Sequence, residues 1–204
     1  MGLKVKNQVD VIKHYDMLID DGNDPINDPP ELQRYMDKWD GDRFIEELKL
    51  DKSKYVLEIG VGTGRLATRV AHSCYSFCGI DISPKTVESA KKSLRKFSNV
   101  ELICAKFMKY EFECKYDTIY STLTFMHIEK INEAISKIYH LLKNGGRFVL
   151  SVDKNTSEYI DYGTRIIRVY PHTLESVVSS IQSAGLRLIS TFQTEFATVF
   201  VAEK

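Results

Sequence analysis

Two carboxylates and three glycines carry the most legible chemistry of this chain. Glu58-x-Gly60-x-Gly62-x-Gly64 closes an apolar run beginning at Tyr55, and Asp81 follows 17 residues after Gly64, ending a second apolar run. A strand, a glycine turn, a helix and another strand in this order bind a nucleoside at the carboxyl edge of a parallel sheet. Glycine lets the backbone turn sharply and approach a ligand closely. A carboxylate closing the second strand can accept hydrogen bonds from both ribose hydroxyls.

Spacing narrows the ligand. The dinucleotide fingerprint wants glycines at relative positions one, three and six. Counted from Gly60, the sixth position is Arg65, so that fingerprint fails. The glycine triplet with both acids resembles motif I and the second-strand acid of the class I S-adenosylmethionine-dependent methyltransferases.

The resemblance covers residues 44–204 and implies a fold, a cofactor and an activity. The fold is an α/β, Rossmann-like three-layer αβα sandwich. Its seven-stranded, mostly parallel sheet has the order 3-2-1-4-5-7-6, with the last strand antiparallel. The activity is methyl transfer from S-adenosyl-L-methionine to a small-molecule acceptor by direct displacement. By the same resemblance, Gly60, Gly62, Thr63 and Gly64 form the turn beneath the methionine part of the cofactor. Glu58 holds that loop, Asp81 takes the ribose, and Ile82 packs on one adenine face. An acidic rim suits a ligand carrying a sulfonium and an ammonium and would repel a pyrophosphate.

One position departs from the family. Many members carry an acid after the third strand that meets the adenine amino group, whereas this chain has Lys106 there, within Cys104-Ala105-Lys106-Phe107. A cation cannot accept from an amine. Adenine recognition then falls to backbone groups near Lys106 and Phe107, with packing from the Phe107 ring. Ser121 matches a segment crossing beneath the cofactor, and reads equally well as a turn former.

The acceptor side is less defined. His127, just beyond the fourth strand, is the candidate base, since imidazole can titrate near neutral pH; the competing reading is that it merely begins the next helix. Tyr170 and His172 could face the acceptor from the stretch before the last helix, where capping or surface roles compete. Residues 1–43 read as a helical extension that folds over the cofactor as a lid, with Tyr15, Tyr35 and Trp39 as aromatic surfaces. Asp16, Asp20 and Asp28 on that lid favour an amine-bearing acceptor. His14, His72 and His140 look structural or solvated, and without carboxylates at ligand spacing no metal is expected. A protein that binds the cofactor without turnover, and a nicotinamide-dependent oxidoreductase, are the rival readings.

The elements that must position these groups follow from periodicity. A short helix is expected over 65–73. Ser83 caps a helix starting at Pro84 and running to about Phe97. Strands are expected at 100–104, 116–120 and 147–152. Helical spacing from Ile131 to Leu142 stops at Asn144-Gly145-Gly146. Thr173 caps a last helix ending near Gly185, and the runs 186–192 and 196–202 are joined closely enough to pair antiparallel. Asp24-Pro25 and Asp28-Pro29-Pro30 mark a turn between two helical pieces of the extension.

Composition excludes several classes. With 204 residues, 28 basic and 28 acidic side chains, the chain lacks the basic excess of a nucleic-acid binder. Residues 16–47 hold eleven acids against three bases, and 83–96 hold five bases against one acid, which reads as two solvated faces. Cys74, Cys78, Cys104 and Cys114 form no Cys-x-x-Cys pair and read as free, buried thiols. No apolar run reaches the ~18 residues of a membrane span. The first residues carry Lys4 and Lys6 but no signal-like apolar core, and Lys6 argues against myristoylation at Gly2. The expectation is a cytoplasmic protein, monomeric or homodimeric.

Overall fold

The computed structural model describes residues 7–204; the expectations placed on Gly2, Lys4 and Lys6 lie outside them. The chain begins with β1 (Asn7–Val9) and α1 (Val11–Asp20), the helix capped by the Asp10 carboxylate, which accepts from Lys13 N–H at 3.0 Å. Next come α2 (Pro30–Met36), a 3₁₀ turn (Asp37–Trp39) and α3 (Gly41–Glu47). The nucleoside-type unit is β2 (Tyr55–Ile59), α4 (Ala67–Val70), β3 (Ser76–Asp81) and α5 (Pro84–Leu94). Ser83 Oγ accepts from Thr86 N–H at 3.1 Å, so the expected cap and Pro84 start α5 together.

Alternation then continues through β4 (Val100–Cys104), β5 (Tyr116–Ser121), α6 (Ile131–Leu141) and β6 (Leu142–Asp153). A hairpin of β7 (Tyr159–Asp161) and β8 (Arg165–Arg168) precedes α7 (Leu174–Ser183), β9 (Arg187–Gln193) and β10 (Ala197–Glu203). The main sheet runs β4-β3-β2-β5-β6-β10-β9, the expected order, with β10 antiparallel to both neighbours. Its side chains alternate between two cores. Val56, Phe77, Tyr120 and Val149 pack against α3, α4 and α5, while Leu57, Ile119, Phe148 and Leu150 pack against α6 and α7.

Four expectations need correction. The amino-terminal extension is not wholly helical: β1 pairs in parallel with β8, giving a second sheet of order β1-β8-β7. Pairing partners more than 150 residues apart leave no local signal in three residues. The line drawn between residues 43 and 44 falls inside α3, whose Phe44 is a fully buried part of the main core. Helix α6 ends at Leu141, before Asn144: Leu142 already pairs with Tyr116, and the glycines sit in the bulge before Arg147 resumes pairing with Thr118. Cys74 and Cys78 are buried thiols, but Cys104 and Cys114 are exposed.

Candidate active site

A cavity of about 920 Å³ opens at the carboxyl ends of β2, β3 and β5. One end is the glycine turn. Gly60 and Gly62 adopt φ of +78° and +56°, a region glycine enters without the penalty of a Cβ. The two serve different purposes. A Cβ on Gly60 would strike the Thr124 side chain, so this glycine lets the segment after β5 cross on the turn. A Cβ on Gly62 would meet no protein atom within 4 Å and would point into open space. Gly64, also at positive φ, packs on Leu94 of α5 and does not line the cavity.

Two acids flank this turn. Asp81 accepts from Gly62 N–H at Oδ2 and from Ser83 N–H at Oδ1, both at 3.0 Å. Each oxygen keeps a lone pair for a ligand. Burial raises its pKa, opposed by the N–H groups of Ser83, Gly62 and Ile82. Glu58 is 2% exposed and accepts the Tyr120 hydroxyl at 2.8 Å. Burial pushes its pKa up to about 8, against the Tyr120 hydrogen bond and Arg65. Between the acids, Thr63 Oγ1 is buried without a hydrogen-bond partner, although Thr63 lines the cavity. A buried unpaired hydroxyl and a carboxylate held partly neutral both favour a ligand that brings a cation and polar groups.

Ile82, Lys106 and Phe107 line the same end. Ser121 does not: it is fully buried and its hydroxyl donates to Ile59 O at 2.7 Å, joining β5 to β2. Leu123, a non-glycine residue at φ +55°, lines the cavity just beyond it. That conformation costs about 1–2 kcal/mol and is held by the crossing over Gly60.

The other end is roofed by α1 and the 3₁₀ turn after α2. Val11, Leu18, Ile19 and Met36 face Met126 and Ile160 there, with Tyr15, Tyr35, Trp39 and Tyr162 as the aromatic walls. Trp39 Nε1–H donates to Asp153 Oδ2 at 2.7 Å. Burial holds the Tyr162 phenol pKa up, against Arg165 and with smaller help from Asp153 and Tyr35.

The roof ties up part of the uneven charge, while all five bases of 83–96 remain exposed. Asp16 accepts from Ser83 Oγ at 2.7 Å and from Lys85 N–H at 3.2 Å, at the start of α5, and Asp20 pairs with Lys85 Nζ at 2.5 Å. Of the three acids expected to meet an acceptor, only Asp28 lines the cavity. Arg65, which fills the place of the missing fingerprint glycine, binds Asp37 and the buried Asp40. The sequence offered no local sign of these links.

His127 and Tyr15 come together: the Tyr15 hydroxyl lies 2.8 Å from His127 Nε2. Burial, with help from His14, pushes the His127 pKa down to about 4, so its imidazole is neutral at pH 7. Tyr170 and His172 lie apart from the main cavity, behind the turn that carries His127. His172 Nε2 lies 3.1 Å from Phe125 O and 3.0 Å from Ile128 O, where its N–H braces that turn. Tyr170 N–H donates to Met126 O at 2.7 Å. Both hold the site's frame and do not line the cavity.

A parallel sheet of this order, ending in a glycine turn and two strand-terminal acids over a lidded cavity, defines a Rossmann-like nucleoside-binding enzyme. A family model described as a methyltransferase domain matches residues 56–146. An uncharacterised methyltransferase of Bacillus thuringiensis is 30% identical over 156 residues, 75% of this chain and 72% of the relative. Malonyl-[acyl-carrier protein] O-methyltransferase 1 of Ilyobacter polytropus is 34% identical over 113 residues, 53% of this chain and 41% of its own length. Among solved structures, the N-methyltransferase NodS of Bradyrhizobium japonicum in complex with S-adenosylhomocysteine superposes with a TM-score of 0.71, covering 95% of this chain and 97% of that one. Its 17% identity supports the fold.

The chain belongs to the methyltransferase family, and its fold is the one solved for S-adenosylmethionine-dependent methyltransferases. Among the described residues no helix is long and apolar enough to cross a membrane.

Proposed function

We propose that this enzyme methylates a small-molecule amine with an apolar body, beneath a lid that carries α1 and the 3₁₀ turn after α2. The observation that carries the reading is the chamber beyond the glycine turn. It is walled by aliphatic and aromatic side chains, and Asp28, Glu129, Glu133 and Asp153 are among the acids that line the cavity. Aromatic faces beside a carboxylate suit a cationic product.

On this reading Asp81 takes the ribose hydroxyls, Thr63 and Glu58 meet the amino-acid end, and Ile82 and Phe107 enclose the adenine. The backbone near Lys106 serves the adenine edge. When bound, S-adenosylmethionine supplies a methyl group already activated on a sulfonium. The protein's own part is alignment and exclusion of water. Tyr15, Trp39 and Met36 close the chamber from above.

His127 has a different task from the expected base. Its pKa of about 4 lies roughly six units below an ordinary alkylammonium, a gap of about 8 kcal/mol. The acceptor therefore enters as the neutral amine. A panel of arylalkylamines, phenols and carboxylates of matched size, assayed with methyl-labelled cofactor, tests the reading. Amines are expected to take the label. Label on phenols or carboxylates, with none on amines, rejects it.

A further inference from the structure

The lid brings one hydroxyl into the site by a route of its own. Tyr15 reaches from α1 across 112 residues of sequence to His127, and the rings meet edge to face at 5.4 Å. Both side chains line the cavity. The pair is clamped from behind. Fully buried His14 accepts from Arg165 Nε at 3.0 Å through Nδ1, and Arg165 also pairs with Asp21 at 3.3 Å. Since β8 carries Arg165 and pairs with β1, both ends of α1 are tied to the second sheet. On the other side, His172 and Tyr170 brace the turn that carries His127. This is more support than a loosely closing cover needs.

The charged or titratable groups around the pair are His14 and Arg165 behind it, and Tyr162 and Asp81 near the phenol. Burial holds the Tyr15 phenol far above its ordinary range, so hydroxyl and imidazole are both neutral around pH 7. Two neutral groups within 2.8 Å share one hydrogen bond, and its direction decides what the cavity sees. If the phenol donates to Nε2, its oxygen presents lone pairs to the cavity, and the imidazole proton sits on Nδ1, which is buried without a protein partner. If Nε2–H donates, the cavity meets a hydroxyl proton instead.

We propose that the Tyr15 hydroxyl donates a hydrogen bond to His127 Nε2 and accepts one from the nucleophilic nitrogen of the acceptor, so that the site selects amines still bearing an N–H. The inference rests on the amine reading above. One N–H held by a fixed oxygen sets the direction of the nitrogen lone pair, which is what a displacement requires. That lone pair forms the new nitrogen–carbon bond, and the bonding pair of the old carbon–sulfur bond returns to sulfur. Nitrogen keeps its hydrogens and leaves as the methylated ammonium, so no protein base is charged. Tyr15 contacts the acceptor; His127 is a positioning residue that acts through it. A tertiary amine has no N–H for Tyr15 and gains nothing from it.

The bond direction is read without any acceptor. Nitrogen-15 spectra of the histidine-labelled full chain, saturated with S-adenosylhomocysteine at pH 7, should show His127 Nε2 unprotonated. That resonance should move in Tyr15→Phe. A protonated Nε2 overturns the proposal. Benzylamine, N-methylbenzylamine and N,N-dimethylbenzylamine then serve as kinetic probes. Tyr15→Phe should lower kcat about 10- to 100-fold on the first two, the loss of one hydrogen bond in a closed site, and leave the third unchanged. The KM for S-adenosylmethionine should stay the same. His127→Gln, whose amide oxygen can accept the phenol hydrogen bond, should keep most activity, while His127→Leu should match Tyr15→Phe. An equal loss on the tertiary amine, or equal behaviour of the two His127 variants, sinks the idea. If no benzylamine is turned over, the amine reading falls and the spectra alone decide the Tyr15–His127 geometry.

Discussion

Arg65 meets Asp40 through both ends of its guanidinium, and this aspartate at the start of α3 is 1% exposed. The same carboxylate accepts from Gly41 N–H at 2.8 Å, while Asp37 takes a second Arg65 contact at 3.0 Å. The residue that breaks the dinucleotide fingerprint thus fastens the roof to the glycine turn. Removing one partner of such a buried pair strands the other, at about 3–5 kcal/mol. Asp40→Ala should lose stability of that order in urea denaturation, with weaker S-adenosylhomocysteine binding. A loss below about 1 kcal/mol would show that the link carries little.

The two glycines of the turn should fail differently. Gly60→Ala forces a Cβ onto Thr124, so it should lower the melting temperature with or without cofactor. Gly62→Ala meets no protein atom and should cost only about 1–2 kcal/mol for its positive φ. Its main defect should be cofactor affinity, read by calorimetry. Identical profiles for the two variants would contradict the assignment.

Asp81 offers a graded test. Asp81→Ala removes the acceptors of Gly62 and Ser83 as well as those offered to the ribose. Affinity for S-adenosylhomocysteine should fall by about 1–3 kcal/mol. Asp81→Asn keeps one acceptor oxygen and should lie between wild type and alanine in the same titration.

Protons should be released when the cofactor binds. With a pKa of about 8, Glu58 is mostly protonated at pH 7 in the free enzyme. A sulfonium and an ammonium nearby favour the carboxylate. Calorimetry at pH 7 in buffers of different ionisation enthalpy should detect up to one proton leaving, and none in Glu58→Gln.

Stability should peak near pH 6.5. His14 and His127 have folded pKa values of about 4 against an ordinary 6.5. Between those values the unfolded chain binds protons that the folded chain refuses, so stability rises with pH. Glu58 acts in the opposite sense. From 4.5 to about 8 the folded chain keeps a proton that the unfolded one has lost, so its contribution falls as pH rises. The two histidines outweigh the single carboxyl below 6.5, and Glu58 acts alone above it. Glu58→Gln should flatten the alkaline limb of a melting-temperature profile.

The main sheet was legible because each strand is an apolar run with a stop, as at Glu58 and Asp81, and because Ser83-Pro84 and Thr173 announce their helices. All these signals are local. The roof was not legible for the complementary reason. Asp16 meets Ser83, Trp39 meets Asp153, and Tyr15 meets His127 across 67 to 114 residues. A carboxylate seen alone in sequence looks solvated whether or not a lysine awaits it on another helix. Ser121, Tyr170 and His172 were singled out by position along the chain, but the Ser121 hydroxyl, the Tyr170 main-chain N–H and the His172 ring nitrogen each meet a backbone carbonyl.

The parallel pairing of Asn7–Val9 with Ile167 and its neighbours sets an order of assembly. Those three residues have no partner strand until residue 168 has left the ribosome. Helix α1, by contrast, can dock on α5 as soon as that helix is made, because Asp16 and Asp20 meet Ser83 and Lys85. A ribosome stalled before residue 165 should therefore display α1 already docked on α5, with β1 still unpaired.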